Sequence, residues 1–254
     1  MIVSDNGSTD ESRLIVEKYR QRMPNLRLID ASDRRGSAYA RNVGVRAACG
    51  DKLAFCDADD EVAPGWVAAM GEALTVHDFV AGRLDPYKLN ESWVLKTRRC
   101  PQQDGLQVYN YPPYLPHAAG CNLGVKRTLH ETVDGFEESL FILNDTDYCW
   151  RAQLAGATLT SIPHAVVHYR FRHSIWDIYW QALGYGMDNV LLYKKYRPYG
   201  MPELSWSIGA RKWLSLLRNL HRLRHRKYQA AWLWKFAWHL GRVLGSIKYR
   251  IPAI

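Results

Sequence analysis

Apolar and polar positions alternate along the first third of the chain in a strand–helix–strand rhythm. Ile2-Val3 runs into the polar turn Ser4–Asp10 and reads as a strand end. A helix follows, with Ser8 or Thr9 as its cap, Asp10 and Glu11 in its first turn and Leu14, Ile15 and Tyr19 on its apolar face; Pro24 closes it. Leu26–Ile29 is a second short strand, Ser37–Ala48 a helix closed by Gly50, and Leu53–Cys56 a third strand. Such alternation predicts a parallel α/β sheet. A two- or three-residue first strand is too short to stand alone, so the domain is expected to lack its first strand and helix.

From Val80 to Tyr114 the pattern loosens, with Trp93–Leu95 as one candidate strand and Tyr109–Pro116 as a Tyr/Pro loop. Cys121–Val125 reads as a strand, followed by a loop through Gly135-Phe136. Leu143–Ala155 reads as a helix ended by Gly156, Thr158–Ile162 and Val166–Phe171 as two extended pieces, and Ser174–Lys195 as a helix interrupted by Gly184 and Gly186. No internal repeat is present.

The last fifty residues differ in kind. In 211–224, Trp213, Leu216, Leu217, Leu220 and Leu223 recur at helical spacing opposite Arg211, Lys212, Arg218, Arg222 and Arg224. Residues 228–250 repeat the pattern with Trp234, Ala237, Trp238, Leu240 and Leu244. Basic amphipathic helices with tryptophan on the apolar side are the mark of an interfacial membrane helix. Packing on the domain or on a second subunit, and nucleic-acid binding, are the alternatives. The division expected is 1–172 and 173–254.

Charge sharpens that division. Residues 194–254 hold 14 Lys/Arg and one acid, Glu203, in a chain whose net charge is +9, so the remainder is mildly acidic. A basic tail on an acidic body suits an anionic partner surface. With 254 residues, 47% hydrophobic and 23% charged, the chain is long enough for one large domain plus an appendage. Its five cysteines, odd in number, form no C-x-x-C pair, so neither a zinc site nor a disulfide framework is implied and a reducing cytoplasm fits best. No run of eighteen apolar residues predicts a membrane span.

Candidate chemistry centres on Leu53–Trp66, where an apolar run breaks into Asp57, Asp59 and Asp60 before Pro64-Gly65. Carboxylates at a strand's C-terminal end sit where open α/β sheets bind ligands. Crowded acids there need a cation, and hard oxygen donors suit Mg²⁺ or Mn²⁺; a solvated acidic turn capping the next helix is the alternative. A second cluster, Asn144-Asp145-Thr146-Asp147, places Asp145 and Asp147 at a helix start, with Arg151 one turn after Asp147.

Taken in order, these pieces resemble the family 2 glycosyltransferases, inverting enzymes of the GT-A fold that use nucleotide-sugar donors. The residues carrying the resemblance are IVSDNGSTD (2–10), GSAYARNVG (36–44), FCDADDEVAPGW (55–66), CNLGVKR (121–127), GFEESL (135–140), NDTDYCWRAQLAG (144–156) and PHAVVHYRFR (163–172).

The resemblance implies a GT-A mixed sheet flanked by helices over 1–172. It implies Asp5 as the nucleobase contact with Asn6 beside it, and Arg41 and Asn42 lining the donor side. Asp57 would lie near the ribose and metal waters, and Asp59 would ligate Mn²⁺ or Mg²⁺ on the diphosphate. His168 is a further candidate near the metal or pyrophosphate. Asp145 matches the general base of an inverting displacement, preceded by Asn144 where relatives have an acid. Gly120, Cys121, Asn122, Asp147 and Arg151 fall on the acceptor side, Arg151 either pairing with Asp147 or reaching the diphosphate. The Pro-x-Tyr/Phe-Asn-type turn with which relatives begin has no counterpart.

The expected activity is sugar transfer to a saccharide or lipid-linked acceptor at the cytoplasmic face of the plasma membrane, with the tail on its anionic surface. An inactive GT-A scaffold that binds membrane or nucleic acid is one alternative. Nucleotidyl transfer is another, although the Gly-rich phosphate loop of such enzymes is missing.

Overall fold

The structure is a computed structural model that describes residues 1–203, 206–224 and 226–253. Strands β1 (Ile2–Asp5) and β2 (Arg27–Asp30) pair in parallel as a two-stranded sheet around helix α1 (Ser12–Arg20). Helix α2 (Ser37–Ala47) leads to β3 (Lys52–Phe55), the short β4 (Glu61–Val62), helix α3 (Trp66–Val76) and β5 (Phe79–Asp85). A long irregular stretch contains the hairpin of β6 (Gln107–Val108) and β7 (Pro116–His117). Then come β8 (Leu123–Lys126), α4 (Arg127–Thr132), α5 (Asn144–Leu154), β9 (Leu159–His168), α6 (Ile175–Tyr196), α7 (Trp206–Arg218) and α8 (Arg226–Tyr249).

The main sheet runs β3-β8-β5-β9-β4. It is mixed rather than purely parallel: β5 and β9 are parallel, but β8 lies antiparallel between β3 and β5. The strand–helix alternation of residues 1–56 carries no information about β8, which arrives some seventy residues after the strand it joins. Helices α2 and α5 cover one face through Ala38, Val45, Tyr148 and Cys149 against Leu53, Phe79, Leu123 and Val125. Helix α3 covers the other through Trp66, Met70 and Leu74 against Val80, Leu84 and Val167.

Several local expectations are corrected. The central strand β5 has apolar residues on both faces and a bulge at Gly82/Arg83, so period-two alternation never develops. Trp93–Leu95 is no strand; a 3₁₀ turn spans Val94–Lys96. The two extended pieces around Pro163 are one ten-residue strand, β9, whose irregularity matches the β5 bulge. Asn122 seals that bulge: fully buried, it donates to Arg83 O and Ala165 O at 3.0 Å each and accepts from Trp66 Nε1 at 2.8 Å. Helix α1 begins at Ser12 without a side-chain cap, because Asp10 Oδ1 accepts from Ser12 N and Ser8 N donates to Asp5 instead. Its apolar residues Leu14, Ile15 and Tyr19 face solvent.

Helix α6 runs uninterrupted through Gly184 and Gly186. These glycines let neighbours approach: a Cβ on Gly186 would stand 2.1 Å from Trp238 O, and one on Gly241 2.1 Å from Leu183 O. Helix α8 is thus packed along α6, with Ala237 and Arg242 buried, the latter donating to Ala253 O. On α7 the expected apolar stripe divides. Leu216 is buried and Trp213 packs edge-on to Phe236, whereas Leu214 and Leu217, and Leu220 in the 3₁₀ turn that follows, are exposed. Ser205, where the amphipathic tail starts in the sequence, lies outside the described residues, as do Ile254 and the side chain of Arg222. No described helix is long and apolar enough to cross a membrane.

Candidate active site

A cleft of about 1220 Å³ opens over the C-terminal end of β3 and is lined by Asp57, Asp59, Arg41, Gly120 and Asp145 among others. That is ample for two substrates, since single-ligand pockets span roughly 300–1,000 Å³. Its floor is built by three elements meeting end-on: the turn after β3, the 3₁₀ turn Gly120–Asn122 before β8, and the first turn of α5.

Arg41, from the middle of α2, ties these elements together. Nη2 donates to Asp57 Oδ1 at 2.6 Å and Nη1 to Asn144 Oδ1 at 3.1 Å, and the guanidinium lies 5.3 Å from the Phe136 ring. Burial opposes its charge, yet Asp57 and Asp145 hold Arg41 above its ordinary value. Gly120 lets it lie this close, because a Cβ there would stand 2.8 Å from the guanidinium and push it aside.

Asp145 occupies the first turn of α5, where unpaired N–H groups favour an anion. Its Oδ2 accepts from Gly120 N at 3.1 Å and its Oδ1 from Thr146 N at 2.8 Å. Burial pushes its carboxyl up, against the pull of Arg41 and these two N–H groups, with Asp57 pushing further upward. A carboxylate at the cleft wall with a raised pKa is equipped to accept a proton from a bound hydroxyl.

The acid cluster is arranged differently from a simple Asp57/Asp59 pair. Asp59 is engaged by Arg172 at 3.0 Å, and its backbone carbonyl by Arg170 at 2.9 Å. Ligand atoms of Asp57, Asp60 and Cys121 lie within 4.8 Å of one another. Asp60 Oδ1 accepts from Arg170 N at 2.7 Å, while its Oδ2 is buried without a partner. Burial pushes Asp60 up to about 7, with Asp59 and Asp57 adding to it. Cys121 is raised well above the usual thiol value by burial and by Asp57 and Asp60, so its sulfur stays protonated. An orphaned buried carboxylate oxygen beside a second carboxylate is a hard-oxygen environment that fits a divalent cation. The sequence marks Asp60 as part of the acidic run, but the resemblance assigns the metal to Asp57 and Asp59 and gives Asp60 no role.

Other predicted site residues are placed elsewhere. Asp5 is buried and held by Arg13 at 3.1 Å and Ser8 N at 3.2 Å, off the cleft lining, whereas Asn6 reaches its edge. Asn6 Nδ2 donates to Arg34 O at 2.7 Å and its Oδ1 accepts from Gly36 N at 2.8 Å, which fixes the loop before α2. Asn42 is turned inward, accepting from Phe136 N and donating to Phe136 O, each at 2.9 Å. His168 pairs with Asp85 at 2.8 Å at the end of β9, away from the cleft lining. Asn122 is the bulge seal described above. Asp147 is fully buried against α6, accepting from Arg151 Nε at 2.6 Å, Lys195 Nζ at 2.6 Å and Tyr196 hydroxyl at 3.0 Å. Arg151 donates onward to Gly135 O at 2.7 Å, so this pair braces α5 rather than facing the cleft. Arg98, Arg170 and Arg172 line the cleft and were not picked out from the sequence.

Residues 1–134 match the family model described as Glycosyl transferase family 2. The chain is 27% identical over 179 residues to the uncharacterized glycosyltransferase YwdF of Bacillus subtilis, covering 67% of this chain and 62% of that one. It is likewise 27% identical over 162 residues to the glycosyltransferase AglE of Haloferax volcanii, covering 63% and 53%. It therefore spans less than two thirds of the length of either relative. Among solved structures, a mannosyltransferase of Pyrobaculum calidifontis in complex with GDP-Man and Mn²⁺ superposes with a TM-score of 0.62 at 16% identity, over 95% of this chain and 77% of that one. The first 349 residues of TarS from S. aureus in complex with UDP-GlcNAc superpose with a TM-score of 0.52 at 14% identity, over 98% and 82%. The fold is that of the GT-A glycosyltransferases.

Proposed function

The chain belongs to glycosyltransferase family 2, and from that premise we propose that it transfers a sugar, with inversion, from a nucleotide-diphosphate sugar to a hydroxyl of a saccharide or lipid-linked acceptor. The observation that carries this reading is the junction of Arg41, Asp57 and Asp145 at the floor of one cleft, with a partnerless Asp60 oxygen beside it.

Asp145 is the general base. It takes the acceptor's proton as the hydroxyl oxygen attacks the anomeric carbon and the bond to the diphosphate oxygen breaks. The two N–H groups on Asp145 fix its orientation, and Arg41 tempers the rise in its pKa. Asp57 and Asp60, whose carboxylates lie together, would hold Mn²⁺ or Mg²⁺, with Asp59 beside them as a further donor once released from Arg172. When bound, that cation supplies positive charge that offsets the charge developing on the departing nucleoside diphosphate. Arg172 and Arg170, already beside Asp59, are placed to pair with phosphate oxygens. Asn6 and the loop it holds border the donor end. The bound metal and nucleotide of the Pyrobaculum structure, and the nucleotide sugar of TarS, support a nucleotide-sugar donor here.

The same reading puts the enzyme at the inner face of the plasma membrane, reached by the exposed leucines of α7 interleaved with Arg211 and Arg218. The test is calorimetric titration of UDP, GDP and dTDP with and without Mn²⁺, on the wild type and on Asp59→Ala. Manganese-dependent binding of one nucleotide, lost in the variant, is the expected result; binding of none counts against the donor site.

A further inference from the structure

Arg98 stands in the irregular stretch between β5 and β6 and lines the same cleft as Asp145. Its guanidinium is enclosed by rings from three separate elements. It lies 5.0 Å from the centroid of Phe171 after β9, 5.8 Å from Tyr185 on α6 and 4.6 Å from Trp234 on α8. Nη2 also donates to the Tyr169 hydroxyl at 3.2 Å. Among the described residues Arg98 has no carboxylate partner, in contrast to Arg41, which has Asp57, and Arg172, which has Asp59. Aromatic faces hold a guanidinium in a fixed plane and favour its charge. They leave a cation, half removed from water, without a counter-ion.

Tyr185 links this cation to the chemistry. Stacked against the guanidinium, it lines the same cleft as Asp145. Arg98 thus lines the cleft that holds the candidate base, stacked against rings of α6 and α8, whereas the Arg41–Asp57 junction is built from α2 and the turn after β3. A planar guanidinium pre-oriented by stacking is the arrangement that receives an oxyanion through paired N–H···O bonds.

We propose that the acceptor substrate carries an oxyanion, a sugar carboxylate or a phosphate, and that Arg98 receives it within the cleft. The inference rests on the sugar-transfer reading of the cleft and narrows its acceptor class. Neutral saccharides lack the group that would balance Arg98 and are the disfavoured acceptors.

The test titrates the full chain, without metal, with methyl β-D-glucuronide, glycerol 3-phosphate and the neutral methyl β-D-glucoside, each followed by saturation-transfer NMR. At least one anion is expected to bind tenfold or more tightly than the glucoside. A preference for the glucuronide identifies a sugar carboxylate as the source, and a preference for glycerol phosphate identifies a phosphate. The margin should shrink to twofold or less in Arg98→Gln, survive in part in Arg98→Lys, and fall with added salt in the wild type. Equal binding of anionic and neutral ligands by the wild type overturns the proposal, as does a margin that persists in Arg98→Gln. Should Arg98→Gln not fold, the Lys variant and the salt series carry the same decision. UDP–Mn²⁺ binding, measured separately, is expected to be unchanged in both variants. Its absence from the wild type would count against the donor reading while the anion preference is still read on its own.

Discussion

Asn144 accepts a hydrogen bond from Arg41 Nη1 at 3.1 Å, joining the start of α5 to the middle of α2. Its amide nitrogen meanwhile donates to Ser37 Oγ at 3.2 Å, Phe141 O at 3.2 Å and Leu140 O at 3.3 Å. A carboxylate at this position could receive Arg41 but could not donate to either carbonyl. The amide before Asp145 is thus matched to this loop. Asn144→Asp is expected to lower the unfolding free energy by about 1–3 kcal/mol through the unsatisfied carbonyls, read by urea denaturation. An unchanged midpoint would contradict the account.

Asp145→Asn is expected to reduce sugar transfer by roughly 10²–10⁴-fold, the usual worth of a positioned base, with nucleotide binding intact. The base works only when ionised, so kcat/KM should rise with pH along an acid limb. Since burial raises the Asp145 carboxyl, that limb should lie above the ordinary carboxylate value of 3.8. Arg41→Met removes the charge that pulls it down, so the limb should move to higher pH. A limb that stays in place in Arg41→Met would show that Arg41 does not tune the base.

Gly186→Ala tests the α6–α8 contact. The added methyl would stand 2.1 Å from a backbone carbonyl, a clash no side-chain rotation relieves. The helices must separate, at a cost of about 1–3 kcal/mol, seen as a lower midpoint in thermal unfolding. Gly71→Ala, in α3 with open space around it, is the control and should be neutral or slightly stabilising.

Two buried histidines set an acid-sensitivity window. Burial lowers His117 to about 4, and burial aided by Arg127 and Arg151 lowers His130 to about 4, against an ordinary 6.5. Between those values the unfolded chain binds protons that the folded chain refuses. The stability contribution is therefore complete above pH 6.5 and is lost as pH falls towards 4. At 1.36 kcal/mol per unit the loss is up to roughly 3 kcal/mol for each histidine. His117→Gln should flatten stability measured from pH 7.5 to 4.

Leu217 and Ile247, at 60% and 71% exposure, are the most outward-facing large apolar residues of the described tail. Leu217→Glu with Ile247→Glu is expected to abolish co-sedimentation with anionic liposomes and to leave nucleotide binding unchanged. Retained co-sedimentation would remove the membrane reading. Deleting the whole tail is a poorer test, because it would uncover α6.

The elements legible in the sequence were those whose signals are local. The turn after Leu53–Phe55, the first turn of α5 and the helix at Ser37 all announce themselves by short runs of acids, glycines or periodic apolar residues. The central strand β5 did not, since burial on both faces and the bulge at Gly82 erase its alternation. Asp145, Asp57 and Arg41 could be picked out because each stands in a recognisable short motif, and all three line the cleft. The inward turn of Asp147 and Asn122 could not be read, because it depends on Lys195, Tyr196, Arg83 and Ala165, which meet them only in the folded chain. Arg98 lies in a stretch with no period at all. The α8 stripe was visible, but a stripe does not say what covers it, and Gly186, read as an interruption, is what admits α8.

The antiparallel insertion of β8 has a consequence for how the chain comes to be folded. Among the described residues β3 has no ladder partner other than β8, so Leu53–Phe55 cannot be held until residues 123–126 exist. Asp145, which completes the cleft floor, is made later still. During synthesis from the N-terminus, the acidic turn at 57–60 must therefore wait through the production of about a third of the protein. Pairings of such long sequence separation close slowly. The cleft floor is then assembled only after β8 and the start of α5 are made, and a nascent chain halted before residue 123 would carry the acids without the pocket.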